Sequence, residues 1–317
     1  RLEAAVLNAR IRKRWLAGNF PIAAIGQPTD LTYDAEFIGA GPQTLAELVE
    51  GRHGFADVLS KAERPMLILG QGALARSDGA GVFAQALALA EKTGMISDDW
   101  NGFNVLHTAA GRVGGMDVGF LPGEGGRDRN GVIEGCKSGD ISTVILYGAD
   151  EIDRDELGGA FVIYIGSHGD RGAHGADVIL PAAAYTEKQA IFVNTEGRAQ
   201  MSERAAFPPG DAREDWKIFR ALSDHLGATL EFDTVDALRT VMFELAPHLA
   251  RLDELVPAGV PEKPVADVTQ LDAAAFAPVL TDYYFTNPIA RASATMAACA
   301  EAKRARAKAI GGTGTDG

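Results

Sequence analysis

The 317-residue sequence contains only two cysteines, few aromatic residues and no excess of basic charge. Cys136 and Cys299 lie far apart and form no CxxC pair, so they cannot supply the four thiolates of an iron–sulfur cluster or of a four-cysteine zinc site. Two such cysteines also argue against a secreted disulfide scaffold. The sequence therefore predicts a protein of a reducing compartment.

The charge balance and the hydropathy pattern exclude two further classes of protein. Thirty basic and 43 acidic residues give a net charge of −13, whereas binding to duplex nucleic acid requires a basic face. No apolar run approaches the roughly 20 residues that span a bilayer. We therefore predict neither a nucleic-acid partner nor direct membrane insertion. The sequence starts within a helical pattern, without Met or a signal peptide, and we interpret it as the later part of a longer polypeptide.

Short apolar runs bounded by turn residues alternate with segments of helical periodicity. This alternation predicts an α/β fold, with lobes of parallel sheet and flanking helices. The strands are predicted at PIAAIG (21–26), PMLILG (65–70), TVILYG (143–148), AFVIYIG (160–166) and ADVILP (176–181), and the helices at 1–16, 42–51, 55–62, 77–94, 214–226 and 234–246. Ser77 is the predicted N-cap of its helix.

The domain organisation follows from where this alternation stops. We expect an α/β region over residues 1–230, with room for two interleaved lobes, followed by C-terminal helices and an extended tail over 231–317. Within the first region, residues 100–140 are rich in glycine and show no clear periodicity. After Pro247 the frequent prolines favour extended structure, and the last residues indicate a basic helix end and a tail.

Two glycine-rich loops are candidate phosphate sites. Residues 70–75 match GxGxxA, but Glu91, at the spacing of the ribose-binding acid, falls within a predicted helix, which favours a structural turn. The stretch 123–131 could present Arg127 and Arg129 to an anion. It lacks the GKS or GKT ending of a P-loop, which favours a surface loop.

Histidine and acidic residues give no stronger site. His168, His174, Asp170 and Asp177 offer metal ligands, but at a spacing that matches no motif, and loop closure explains them as well. The acidic residues of 151–156 are interpreted as a solvated loop. The other histidines are isolated in the sequence: they are His53, His107, His225 and His248. We therefore assign no catalytic, cofactor-binding or metal-binding residue.

The run ADVILPAAAYTEKQAIFVNTEGRAQ (176–200) resembles a recurrent segment of the molybdopterin oxidoreductase superfamily, which reads ADVVLP, then Glu, Gly-Thr, Asn and EGR-Q. The matching positions are Ala176, Asp177, Leu180, Pro181, Glu187, Asn194, Gly197, Arg198 and Gln200, whereas Ala190-Ile191 replaces Gly-Thr. Six other stretches are similar to the C-terminal half of the large iron–sulfur subunits of NADH–quinone oxidoreductase, respiratory complex I. They cover 7–15, 30–48, 100–120, 164–181, 207–222 and 285–300.

This resemblance implies a structural, non-catalytic part of the hydrophilic arm, on the path of electrons from NADH and FMN to quinone. It implies no cofactor in this segment, because the iron–sulfur clusters belong to the N-terminal half, and FMN and NADH to a partner subunit. The implied partners are that subunit and the ferredoxin-like iron–sulfur subunits. The implied location is the cytoplasmic face of the bacterial inner membrane, or the matrix side of the mitochondrial one.

Two departures indicate that the pterin site is lost: the replacement of Gly-Thr, and a sequence too short after residue 230 for the final barrel domain of active pterin enzymes. Two alternatives remain open. The first is a pterin- or nucleotide-dependent oxidoreductase that uses the loops at 70–75, 123–131 and 166–175. The second is a regulatory nucleotide-binding module built on the loop at 70–75.

Overall fold

The computed structural model describes residues 4–256, 259, 271–280 and 282–309. The chain divides into two compact units. The first comprises Arg1–Thr108, Ala258–Thr286 and Thr295–Gly317, and the second comprises Ala109–Pro257 and Asn287–Ala294. No helix among the described residues combines the length and apolar character needed to cross a membrane.

Strands and helices alternate along much of the chain. The strands are β1 (Ala23–Ile25), β2 (Glu36–Gly39), β3 (Leu67–Gly70), β4 (Ile96–Ser97), β5 (Trp100–Asn101), β6 (Phe103–Leu106), β7 (Thr143–Tyr147), β8 (Phe161–Gly166), β9 (Val178–Pro181), β10 (Ala190–Val193) and β11 (Ala199–Ser202). The helices are α1 (Ala5–Leu16), α2 (Pro42–Glu50), α3 (Phe55–Lys61), α4 (Gln71–Leu74), α5 (Gly79–Thr93), α6 (Arg112–Asp117), α7 (Arg129–Ser138), α8 (Arg171–His174), α9 (Asp215–His225), α10 (Val235–Leu245), α11 (Pro288–Arg291) and α12 (Ala294–Ala309).

The first unit contains two parallel strand pairs, β1–β2 and β3–β6, and one short antiparallel pair, β4–β5. Its core lies between α2, α5 and β3, where Leu45, Val82, Leu89 and Phe103 are buried. The chain enters α2 through Pro42, whose fixed φ suits a first helical position. Both α2 and α5 end at a glycine in the left-handed region, as predicted.

The second unit contains a wholly parallel sheet in the order β7-β8-β9 and an antiparallel hairpin, β10–β11. One face of the parallel sheet packs on α7, where Val162, Tyr164 and Cys136 are buried. A smaller core joins the hairpin to α6, α10 and the 3-10 turn Pro247–Ala250. The parallel strands confirm the predicted α/β class.

Several local predictions were wrong or incomplete. Asp78, rather than Ser77, occupies the N-cap position of α5, and its side chain is used elsewhere. Residues 100–140, which show no periodicity in the sequence, contain β6, α6 and α7, because tertiary contacts support elements too short to form a clear pattern. The proline-rich stretch over 260–270 and the tail over 310–317 lie outside the described residues.

Candidate functional site

In the second unit, the carboxyl ends of β7 and β8 converge on a buried carboxylate. Ligands of open α/β sheets bind at this edge. Asp150, which follows β7, has no exposed surface. Its oxygens accept hydrogen bonds from the backbone N–H groups of Asp170, at 3.0 and 2.9 Å, and of Gly172, at 3.0 Å. The carboxylate of Asp150 therefore fills the concavity that the loop after β8 forms.

Arg291, from the end of α11, completes this group of charges. Its guanidinium lies 2.7 Å (Nη2) from Asp150 Oδ2 and 3.0 Å (Nε) from Asp170 Oδ2. Asn287 begins α11 by accepting a hydrogen bond from the backbone N–H of Ala290, which fixes the short helix that carries Arg291. We call Asp150, Asp170 and Arg291 the carboxylate cluster.

The electrostatics of the carboxylate cluster favour the charged forms of Asp170 and Arg291. The pKa of Asp170 lies below its ordinary value because of its interaction with Asp150, the backbone N–H of Arg171 and the guanidinium of Arg291. Burial lowers the pKa of Arg291, but its hydrogen bonds to the two carboxylates outweigh that effect and the net shift is upward. The cluster is therefore an internally paired group.

The glycines of the loop after β8 allow its backbone to lie close to residues of β8 and of the segment after β7. A Cβ atom on Gly169 would lie 2.7 Å from the hydroxyl oxygen of Tyr164, and one on Gly172 would lie 2.9 Å from the carbonyl oxygen of Ala149. The Tyr164 hydroxyl donates a hydrogen bond to the carbonyl of His168, and burial and nearby acidic groups raise its pKa to about 12. This loop thus packs on its own sheet.

In the first unit, residues 271–280 lie at the carboxyl ends of β2 and β3, and we call this segment the C-terminal strap. The backbone N–H of Phe276 donates to the carbonyl oxygen of Ala40 at 2.8 Å. Arg76 Nη1 donates to the carbonyl oxygen of Ala274 at 2.9 Å, and the guanidinium lies 5.3 Å from the centre of the Phe276 ring. Phe276 also packs against the core of the first unit.

A buried ion pair beneath the C-terminal strap anchors its beginning. Arg76 Nε lies 2.7 Å from Oδ1 of Asp78, which is 5% exposed. The other oxygen of Asp78 accepts a hydrogen bond from the backbone N–H of Asp272 at 2.8 Å. The hydrogen bond from Arg76 is the largest cause of the lowered pKa of Asp78. The pair therefore fastens the strap to the first unit.

The strap also occupies the space beside the GxGxxA loop. A Cβ atom on Gly72 would lie 2.9 Å from Val279 Cγ2 and 3.0 Å from the carbonyl oxygen of Ala277. The C-terminal strap therefore occupies the space that the missing side chain of Gly72 leaves open. Glu91 lies in α5, as predicted.

The other predicted candidates make local structural contacts. In the loop over 123–131, Asp128 caps α7 through the N–H of Gly131, and Arg129 pairs with Glu156 at 3.4 Å. In the acidic stretch, Asp153 and Glu156 form a capping box. No group of three or more potential metal ligands occurs among the residues that the structure describes.

Asp177 and four of the histidines each make a separate local contact. Asp177 accepts a hydrogen bond from the N–H of Val162, and the ring of His168 contacts Ser167. His248 pairs with Asp117 at 3.0 Å. The ring of His53 accepts a hydrogen bond from the N–H of Phe55, and that of His107 lies 3.1 Å from the amide nitrogen of Gln71. The possible ligands that the sequence offered, His168, His174, Asp170 and Asp177, do not form a metal-binding group among the described residues.

The segment that carries the family resemblance forms β9 and the β10–β11 hairpin. Asn194 begins the hairpin turn by accepting hydrogen bonds from the N–H groups of Glu196 and Arg198. Ile191, at the position of the family's Gly-Thr pair, packs against the core that includes Val193 and Leu249. The side chain of Ile191, which stands in place of the Gly-Thr pair, therefore packs against this core of the second unit.

One further buried group was not indicated by the sequence. Asp215, at the start of α9, is 8% exposed, accepts a hydrogen bond from the Tyr147 hydroxyl at 2.7 Å and pairs with Lys188. Burial and then the charge of Asp215 raise the pKa of Tyr147. These three side chains join β7, the loop after β9 and α9. No spacing in the sequence could have indicated a contact across 68 residues.

Known protein families and individual proteins match nearly the whole chain. A family model described as molybdopterin oxidoreductase matches residues 1–225, and one that describes the C-terminal region of an NADH-ubiquinone oxidoreductase subunit matches residues 257–299. The C-terminal strap and Arg291 both lie within the second match.

Three similar curated proteins carry names from one enzyme complex. They are the mitochondrial "NADH dehydrogenase [ubiquinone] iron-sulfur protein 1" of Solanum tuberosum (42% identical over 94% of this chain and 39% of that protein), the "NADH-ubiquinone oxidoreductase 75 kDa subunit" of Reclinomonas americana (40%, over 94% and 43%) and the mitochondrial "NADH-ubiquinone oxidoreductase 78 kDa subunit" of Neurospora crassa (39%, over 96% and 41%). The chain thus spans 39–43% of the length of these relatives.

Proposed function

Because this chain belongs to the molybdopterin oxidoreductase family, we propose that it keeps the fold of that family without its chemistry and serves as a structural part of an NADH–quinone oxidoreductase. In this role it belongs to an iron–sulfur subunit of the hydrophilic arm and supports the electron path from NADH and FMN to quinone. Electron tunnelling falls steeply with distance, so rigid placement of neighbouring redox centres is itself a function.

The observation that carries this proposal is the covering of the carboxyl edge in each unit by the protein's own C-terminal segments. The C-terminal strap occupies the space beside Gly72, and Arg291 pairs with the carboxylate that fills the loop after β8. Glycine-rich loops at the carboxyl edge of a sheet are where a phosphate-bearing cofactor would otherwise approach the backbone. The residues present do not fit that group, and we assign no catalytic step to this chain.

The remaining parts of the proposal concern the whole subunit. Iron–sulfur clusters are proposed for the polypeptide outside this chain, with FMN and NADH on a partner subunit and ferredoxin-like iron–sulfur subunits as further partners. The names of the relatives support membership in the complex. The proposed location is peripheral, on the cytoplasmic or matrix side of the membrane. The division near residue 230 stays a proposal, supported by family models that end at 225 and begin at 257.

The test is the metal and pterin content of the natively purified full-length subunit, measured by plasma mass spectrometry and by pterin fluorescence after acid extraction. We expect iron without molybdenum, tungsten or pterin. Stoichiometric molybdenum or tungsten together with pterin would overturn the proposal and establish the alternative, an oxidoreductase domain with its own active site.

A further inference from the structure

The parallel sheet of the second unit has one open edge, at β7. The N–H of Gly148 donates to the carbonyl oxygen of Ile165 in β8 at 2.8 Å, so alternate residues of β7 point their backbone groups away from β8. These residues are Thr143, Ile145 and Tyr147. Within the part of the chain that the structure describes, their N–H and C=O groups have no hydrogen-bond partner. Strand β7 therefore offers a row of free donors and acceptors.

Nothing in β7 protects this edge. Its sequence, Thr-Val-Ile-Leu-Tyr, contains no charge, proline or glycine, and its register with β8 is regular, without a bulge. Natural proteins block exposed edges with such features because a bare apolar edge pairs with other chains. The opposite edge of the sheet, at β9, does have such features: β9 ends at Pro181, and Ala182 forms a β-bridge with Arg213. Strand β7 is therefore built as an interior strand.

The same conclusion follows from the sheet face that looks away from α7. Ile145, Phe161 and Val178 share this face by register, and they are 40%, 46% and 39% exposed. Parallel sheets are normally covered on both faces. The β8–β9 connection contains only α8, whose single turn is too short to cover a face. Helix α9 contacts this face at Tyr147, whose ring lies 5.1 Å from that of Phe219. The apolar surface of Ile145, Phe161 and Val178 stays exposed and continues to the open edge.

We propose that β7 pairs with an extended apolar strand from the part of the full-length subunit that lies outside this chain. This inference rests on the proposed function, because it assumes the longer subunit. The relatives are much longer than this chain, since 57–61% of their length lies outside the matched region. A polypeptide of that length can supply the additional strand. We assign the strand to the same polypeptide, because a subunit with an unpaired apolar edge would aggregate before it could assemble with its partners.

Hydrogen–deuterium exchange with residue resolution, on the wild-type subunit in the purified complex, tests the pairing. We expect the outward amides of Thr143, Ile145 and Tyr147 to exchange within about ten-fold of the inward amides of Val144 and Leu146. Outward amides that exchange more than about 100-fold faster would overturn the proposal.

A photo-crosslinking amino acid in place of Thr143, at the open edge, identifies the source of the strand. A crosslink to another segment of the same subunit supports the proposal, whereas a crosslink to a different subunit or a second copy overturns it. Ile145→Pro removes one outward N–H and leaves the β7–β8 hydrogen bonds, so we expect about ten-fold less assembled subunit. The control Ile145→Thr keeps the N–H and should assemble normally.

These results are independent of the metal and pterin content. An open β7 edge in a subunit without molybdenum, tungsten or pterin would overturn the strand pairing alone. A pterin-containing subunit with protected outward amides would overturn only the non-catalytic assignment.

Discussion

Replacing Arg291 by glutamine removes the guanidinium that pairs with Asp150 and Asp170 and leaves a polar side chain of similar length. Asp150 is fully buried, so its carboxylate loses a charged partner without gaining water. Removing one partner of a buried ion pair costs ~3–5 kcal/mol. Asp170 is 44% exposed and adds little, because water replaces its partner. We expect the free energy of unfolding to fall by about 3 kcal/mol, since Arg291 itself is partly exposed.

Urea unfolding of the full-length subunit measures this loss. With a slope of about 2 kcal/mol per molar urea, the midpoint should fall by roughly 1.5 M. The matched control is Arg171→Gln, in the loop after β8, where the side chain is 65% exposed and lies 3.8 Å from Asp153. That surface pair should contribute less than about 1 kcal/mol.

The pH dependence separates charge from packing. The lowered pKa of Asp170 means that its charged form stabilises the fold above the unfolded pKa of about 4, and that this contribution is lost as the pH falls below that value. Part of this contribution comes from the guanidinium of Arg291, so the difference between Arg291→Gln and wild type should shrink as the pH falls below about 4. If Arg291→Gln matches Arg171→Gln at pH 7, or if the difference does not change with pH, the electrostatic account is wrong.

Two further predictions concern the same edges. Gly72→Ala should lower the free energy of unfolding by about 1–3 kcal/mol, because the new methyl group meets the C-terminal strap, whereas Gly70→Ala meets open space and should change it by less than about 0.5 kcal/mol. Equal urea midpoints for the two variants would contradict the position of the strap. The raised pKa of Tyr164, about 12, predicts that stability declines as the pH rises from about 10 to 12, because the unfolded chain ionises first. Tyr164→Phe should flatten that decline, and Tyr185→Phe, at a side chain that is 60% exposed, should not. Part of the decline should remain in Tyr164→Phe because the pKa of Tyr147 is also raised, whereas a decline as steep as in wild type would assign it to another group.

Local patterns predicted some of the elements on which the two units are built, but not β2, β6, α7 or the β10–β11 hairpin. The apolar runs became β3, β7, β8 and β9, and the helices beginning at Pro42 and ending at Gly51 and Gly94 are where their residues indicate. These signals succeed because strand burial and helix capping depend on neighbours within a few residues. The cap of α5 failed because Asp78 is engaged with Arg76 and with the strap.

The candidate site was only partly predictable. The sequence indicated the loops at 70–75 and 166–175 and named Asp170 among possible ligands. Neither Arg291 nor Asp150 was singled out for a role there, because their contact joins positions 141 residues apart and leaves no periodicity. The same holds for Tyr147 and Asp215, which meet across 68 residues.

By itself, the sequence determined the α/β class, the positions of β1, β3, β7, β8 and β9 and the family, since each depends on local composition or on a contiguous motif. Only the tertiary structure decided what lies at the carboxyl edges of the sheets. The glycines there have the same spacing whether they face a cofactor or the protein's own chain. Their neighbours are the C-terminal strap and the carboxylate cluster, which distant parts of the chain bring to these edges by folding.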